Sequence, residues 1–192
     1  MKAFFQSIIK GDIEKVKSYL HKKPELVHST FKGPPKIDDG KSALQIAFCR
    51  GWFDIADYLI DQGADVNFCD DKSVNEWKAP VIHDAIRAAI FSSRYIGYRG
   101  YENTQEEFER AFKSLKHLVD VGANVNSVNS YGSDCLIRAC MDSAQFTLNP
   151  KMEEDIAKVF DLLIRNGAVL SDKNRSLFDE LYKHKEISKF IS

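Results

Sequence analysis

Three stretches of the chain share one order of apolar and polar positions. They are Tyr58-Leu59-Ile60-Asp61-Gln62-Gly63-Ala64-Asp65-Val66-Asn67, His117-Leu118-Val119-Asp120-Val121-Gly122-Ala123-Asn124-Val125-Asn126 and Asp161-Leu162-Leu163-Ile164-Arg165-Asn166-Gly167-Ala168-Val169-Leu170. Each reads as the apolar end of a helix, two variable residues, Gly-Ala and a short extended piece. The glycine stands where a helix C-terminus favours a left-handed residue. The alanine permits close approach of a neighbouring unit, and a Val or Leu then turns inward. Two helices and a turn cannot hide an apolar face alone, so such units are expected to stack in a row.

A shorter helix is predicted upstream of each ending. In one unit it reads Gly40-Lys41-Ser42-Ala43-Leu44-Gln45-Ile46-Ala47-Phe48-Cys49-Arg50-Gly51. This resembles the opening G-x-T-P-L-H-x-A-x-x-x-G of the ankyrin repeat family, with Ser42, Ala43 and Gln45 in place of Thr, Pro and His. Pro80-Val81-Ile82-His83-Asp84-Ala85 keeps the histidine, and Gly132-Ser133-Asp134-Cys135-Leu136-Ile137-Arg138-Ala139 keeps the glycine, leucine and alanine. Ile8 to Leu20 resembles an N-terminal cap, with Gly11-Asp12 joining two helices. Residues 177–191 resemble a C-terminal cap, with Leu177, Leu181, Ile187, Phe190 and Ile191 as its apolar stripe. The resemblance implies an all-α ankyrin repeat solenoid of about five helix-turn-helix units with terminal caps. It forms one domain over 1–192, with units near 1–36, 37–69, 70–128, 129–170 and 171–192.

The spacing departs from the family period of about 33 residues. Leu44, Ile82, Leu136 and Leu177 lie 38, 54 and 41 residues apart. The extra length is assigned to a long turn at 68–79, an insertion near 91–106 and another near 143–151. Surface insertions of this kind cost little loop-closure entropy. The middle one is chemically distinctive: Arg94-Tyr95-Ile96-Gly97-Tyr98-Arg99-Gly100-Tyr101 gathers three tyrosines and two arginines. Tyr and Arg are enriched at binding hot spots. The reading set against this, and favoured over it, is that the same tyrosines fold back onto the helices and extend the core.

In ankyrin arrays the turns project as fingers and the first helices line a concave face beside them, where family members bind proteins. The resemblance therefore implies a partner-binding set of Lys41, Arg50, Glu76, Trp77, Arg87, Tyr131, Met141 and Asp142, to which the insertion adds Tyr95, Tyr98 and Tyr101. Trp77 lies in a polar turn where a large ring is hard to bury locally, so it either meets a partner or stiffens the loop. His83 matches the family histidine, which implies a structural bond between units. Asp84 follows it directly, but adjacent helix residues point in different directions, so no acid–base pair is expected. Asn67 and Asn126 read as turn formers.

Composition narrows the functional classes. The 192 residues are 44% hydrophobic, and 27 Lys+Arg against 28 Asp+Glu leave a formal charge of -1. That balance lacks the basic excess that phosphate binding needs, so no nucleic-acid partner is expected. Cys49, Cys69, Cys135 and Cys140 form no CxxC pair and no zinc spacing, and are expected to be free thiols in a reducing compartment. The apolar start of the chain is too short to span a membrane and has no cleavage site. No Walker loop, GxGxxG, HExxH or GxSxG segment occurs. The expectation is thus a cytoplasmic, monomeric protein-interaction module without catalytic, metal or cofactor residues. The alternatives are an inhibitor or immunity protein that blocks a toxin or enzyme, and an enzyme of unrecognised type.

Overall fold

The computed structural model describes residues 1–70, 73–97, 100, 102–183 and 185–191. Among them lie nine helices: α1 (Lys2–Ile9), α2 (Ile13–Lys22), α3 (Ala43–Cys49), α4 (Phe53–Asp61), α5 (Val81–Phe91), α6 (Gln105–Asp120), α7 (Cys135–Ser143), α8 (Pro150–Arg165) and α9 (Asp172–Leu181). Short 3-10 turns cover Pro24–His28, Lys36–Asp38 and Glu186–Phe190. Extended pairing among the described residues is confined to isolated bridges such as Thr30 with Ser42 and Cys69 with Pro80.

Local chemistry sets the helix starts. Ser42 and Gln45 form a capping box at α3: the Gln45 amide donates to Ser42 Oγ, and the Ser42 amide donates to Gln45 Oε1. Thr104 and Glu107 do the same at α6. Asp12, Asp134 and Ser171 cap α2, α7 and α9 with single side-chain bonds. At α8, Asn149 accepts from two backbone amides and Pro150 supplies the fixed φ suited to the first turn. Gly63, Gly122 and Gly167 adopt φ of 84°, 102° and 88° after α4, α6 and α8, which is the left-handed stop read from the sequence.

The helices then stack as two rows. α1, α3, α5 and α7 each touch the next in one row, and α2, α4, α6 and α8 do so in the other. The paired helices α1–α2, α3–α4, α5–α6 and α7–α8 form the rungs. The core is accordingly a continuous ribbon: Phe4, Phe5, Ile8, Leu44, Ile46, Leu59, Ile82, Ile86, Phe108, Leu118, Ile137 and Phe160 are all fully buried along it. The chain has an all-α repeat fold.

Asparagine side chains staple the outer turns together. Asn67 donates from Nδ2 to the Gly122 carbonyl at 3.1 Å and accepts the Asn124 amide at 2.8 Å. Asn126 repeats the pattern one unit on, to the Gly167 carbonyl and the Val169 amide, both at 2.9 Å. The two residues expected to form turns thus also bond the following unit.

The two insertions clasp each other. Arg94 reaches the buried Asp155 carboxylate at the start of α8 through Nε at 2.9 Å and Nη2 at 2.8 Å, and its backbone amide joins the same group. Asn149 donates to the Arg94 carbonyl, and Asn103 Nδ2 donates to the carbonyls of Phe91 and Ser93. The Tyr95 ring lies 4.6 Å from Phe146, which also meets Phe91 edge-on at 5.0 Å. Tyr95 therefore packs. Tyr98 and Tyr101 lie outside the described residues.

At the C-terminal end Leu177, Ile187, Phe190 and Ile191 pack against the core as expected, and the stripe departs from the expected one at Leu181. Phe178, Tyr182 and Ile187 are buried and Leu181 is largely exposed. The cause is polar: Asn174 is buried and bonds Asp134 and the Gly132 carbonyl, which rotates α9 so that positions 174, 178 and 182 face the array. Phe190 completes the cap by stacking on Phe160 at 5.3 Å.

Two substitutions test this packing. Leu118→Ala should cost about 2–5 kcal/mol through the cavity it leaves, measured by denaturant unfolding. Arg94→Ala should cost about 3–5 kcal/mol because it strands the buried Asp155 carboxylate, and Arg94→Ala combined with Asp155→Asn should recover part of that loss.

Candidate partner-binding groove

The fingers are joined edge to edge before they form a wall. Ser73 Oγ donates to the Asp39 carbonyl at 2.7 Å, and Asn75 Nδ2 donates to the Lys36 carbonyl at 2.9 Å. One unit further, the Ser130 amide donates to the Lys78 carbonyl and the Ser130 hydroxyl accepts the Lys78 amide. Gly40 marks the closest approach. Its φ is 81°, and a Cβ there would stand 2.7 Å from the Ser73 Cα, so no larger residue fits.

Between this wall and the first helices of the units lies a groove of about 950 Å³. Its floor comes from α3 and α5. Gln45, wholly buried, links the two by donating to the Ala79 carbonyl at 2.9 Å and to Asp84 Oδ2 at 3.2 Å. Asp84 also faces Lys41 Nζ at 3.7 Å and Cys49 Sγ at 3.4 Å, and Lys41 Nζ lies 3.1 Å from that sulfur. Burial alone would lower the Lys41 ammonium, but the Asp84 carboxylate reverses this and holds it above the ordinary lysine range. Desolvation of the sulfur, with the same carboxylate, pushes the Cys49 thiol up to about 12, although the residue itself keeps an exposed surface on the groove. A thiol so held is neutral at physiological pH and is not an activated nucleophile. At the rim Arg50 pairs with the buried Asp38.

The wall is aromatic. The Trp77 ring lies 5.6 Å from Tyr131 of the next finger, and the Arg138 guanidinium sits 5.5 Å from its centroid on α7. Arg138 is itself held by Asp142. Trp77 is thus fixed by the neighbouring finger and still lines the groove.

Of the residues singled out in the sequence, Lys41, Arg50, Glu76, Trp77, Arg87 and Tyr131 line this one groove. Met141 packs partly buried against the core, and Tyr95 lies in the clasp between insertions. Asp142 is wholly buried and bonded to Arg138, so it has no surface to offer a partner. Sequence reading missed Ile37 and Val74, which line the groove with 71% and 66% of their surface exposed. The available signal was the one used for Trp77, a large apolar residue isolated in a polar turn.

His83 stands behind the floor. Its Nε2 lies 3.1 Å from the Ser127 carbonyl of the following finger, so the proton is assigned there, and Nδ1 is buried without a partner among the described residues. Asp84 points the other way, into the groove. The neighbours do not form an acid–base pair. Among the described residues no cluster of His, Cys, Asp and Glu is placed to hold a metal ion, and no helix is long and apolar enough to cross a membrane.

Residues 39–71, which carry α3, α4 and the start of the next finger, match the family model described as the ankyrin repeat. No curated protein matches the sequence. Among solved structures the chain is similar to an ankyrin repeat domain from Acinetobacter baumannii AYE, at 18% identity and a TM-score of 0.44 over 98% of this chain and 95% of that one. It is also similar to a chain from the structure of a Bdellovibrio bacteriovorus predatory endopeptidase in complex with an immunity protein. There the identity is 15% and the TM-score 0.28, over 82% of this chain and 98% of that one.

The buried imidazole gives stability a pH dependence. Burial pushes His83 down to about 4 from its ordinary 6.5. Between those values the unfolded chain binds a proton that the folded chain does not. The contribution is therefore fully present above about pH 6.5 and is lost as pH falls toward 4. His83 should account for a loss of roughly 2 kcal/mol between pH 7 and pH 5. Unfolding curves at the two pH values measure it, and His83→Gln should flatten the difference.

Proposed function

We propose that this stack of ankyrin repeats is a protein-interaction module that captures a protein partner in the groove between its fingers and first helices. Ankyrin repeats are protein-interaction units as a class, but fold alone does not dictate function, so the reading stands on the groove. The observation that carries it is the row of exposed apolar side chains at successive fingers: Ile37, Val74 and Tyr131, the last 57% exposed. A single exposed aliphatic residue means little. Three around one cavity form the kind of patch that marks an interaction site.

The floor supports the same reading. Lys41, Asp84, Asp38 and Arg50 are already paired, so the groove presents a shaped and largely neutralised surface instead of a converging set of reactive groups. The groove is also long, running from Lys36 on one finger to Tyr131 two fingers later. That shape suits a chain segment.

Val74→Asp combined with Tyr131→Ala tests the assignment. Val74 is exposed and the Tyr131 ring loses only its contact with Trp77, so helicity should stay near that of the wild type and the unfolding midpoint should fall only slightly. Proteins captured by the wild-type chain should be lost by at least tenfold in quantitative mass spectrometry, while a Lys113→Ala control on α6 retains them. Equal capture by the double variant places binding elsewhere on the molecule.

A further inference from the structure

We propose that the occupant of the groove is an acidic peptide segment, which lays apolar side chains on Ile37, Val74 and Tyr131 and seats a carboxylate on Arg87. This rests on the reading of the groove as the partner-binding surface, and adds the chemistry of the partner.

The charges of the lining decide the sign. Lys41 is consumed by Asp84 and Arg50 by Asp38, while Asp70 is buried and accepts the Ala79 amide. Arg87 and Lys36 remain, exposed and without an ion pair among the described residues, against a single exposed acid, Glu76. Over the whole lining the formal charges cancel, Lys36, Lys41, Arg50 and Arg87 against Asp38, Asp70, Glu76 and Asp84, so the positive balance belongs to the groups that are both exposed and unpaired.

Arg87 is also held ready. Its guanidinium lies 4.9 Å from the centroid of the Phe91 ring, and the two are one helical turn apart on α5. Stacking on an aromatic face fixes the plane of the group and leaves its N–H edges free to donate. Those edges match the two oxygens of a carboxylate. A basic segment would instead meet the exposed Arg87 and Lys36, while Asp38, Asp70 and Asp84 are buried or already bonded and Glu76 is the exposed acid of the lining. The apolar tips lie along the same cavity, so one segment can satisfy both requirements.

The test selects short random peptides displayed on phage against the immobilised full chain. The expected outcome is enrichment of sequences with Asp or Glu near aliphatic or aromatic residues. A synthetic enriched peptide should lose about tenfold in affinity with Arg87→Gln, and should bind more weakly as salt rises. Arg87→Glu should shift selection toward Lys and Arg. Because Arg87 is exposed, both variants are expected to fold, and circular dichroism checks this. Peptides without acids that still depend on Val74 and Tyr131 would overturn the carboxylate assignment and leave the groove reading intact. Peptides indifferent to Val74→Asp and Tyr131→Ala, or no enrichment at all, would overturn both. Equal binding of a single-stranded oligonucleotide would show that the cations accept any polyanion, and would overturn the peptide assignment.

Discussion

Burial between neighbouring helix pairs is the interaction on which everything else depends. Each pair has an apolar side that it cannot cover by itself, and the side is covered only when the next pair lies against it. The result is a ribbon of buried side chains running from Phe4 to Ile187 with no central core to collapse around. Because the rows are open-ended, the outer units must be finished differently. Tyr182 and the Phe160–Phe190 stack do this at one end, and the Phe4–Phe5–Phe31 cluster does it at the other.

Stacking also fixes where polar groups can go. Fingers brought side by side expose backbone donors and acceptors to one another, and Ser73, Asn75 and Ser130 bond across them. On the outer side Asn67 and Asn126 perform the same task. These bonds are individually modest, about 1 kcal/mol each. Their effect is geometric: they hold consecutive fingers side by side, and the apolar tips and Arg87 line a common cavity. A preorganised wall lowers the ordering that binding would otherwise require.

The long insertions fit the same scheme. The clasp built on Arg94, Asp155, Asn149 and Tyr95 ties α5 to α8 and meets the groove at Phe91, which lines the groove and packs against Phe146. An arginine–carboxylate pair with the carboxylate fully buried is costly to break, so it sets the relation of the two units more than it adds net stability. The Arg- and Tyr-rich composition of this segment thus has a structural use at Arg94 and Tyr95.

Much of the architecture was legible in the chain because its determinants are local. The Gly-Ala endings, the helix caps and the apolar rows predict helix pairs that need neighbours, and the structure has them. Lys41, Arg50, Trp77, Arg87 and Tyr131 were placed on one face by repeat register alone. Tertiary structure decided the rest, because it turns on contacts between residues far apart in sequence. Asp142 shares the register of a surface position, yet Arg138 draws it inside. Phe178 and Tyr182 replace Leu181 in the cap because Asn174 finds Asp134, a partner 40 residues away. Ile37 and Val74 gain meaning only when the fingers stand side by side. Local propensity specifies each unit, but which charges are spent and which remain free is settled only once the units touch.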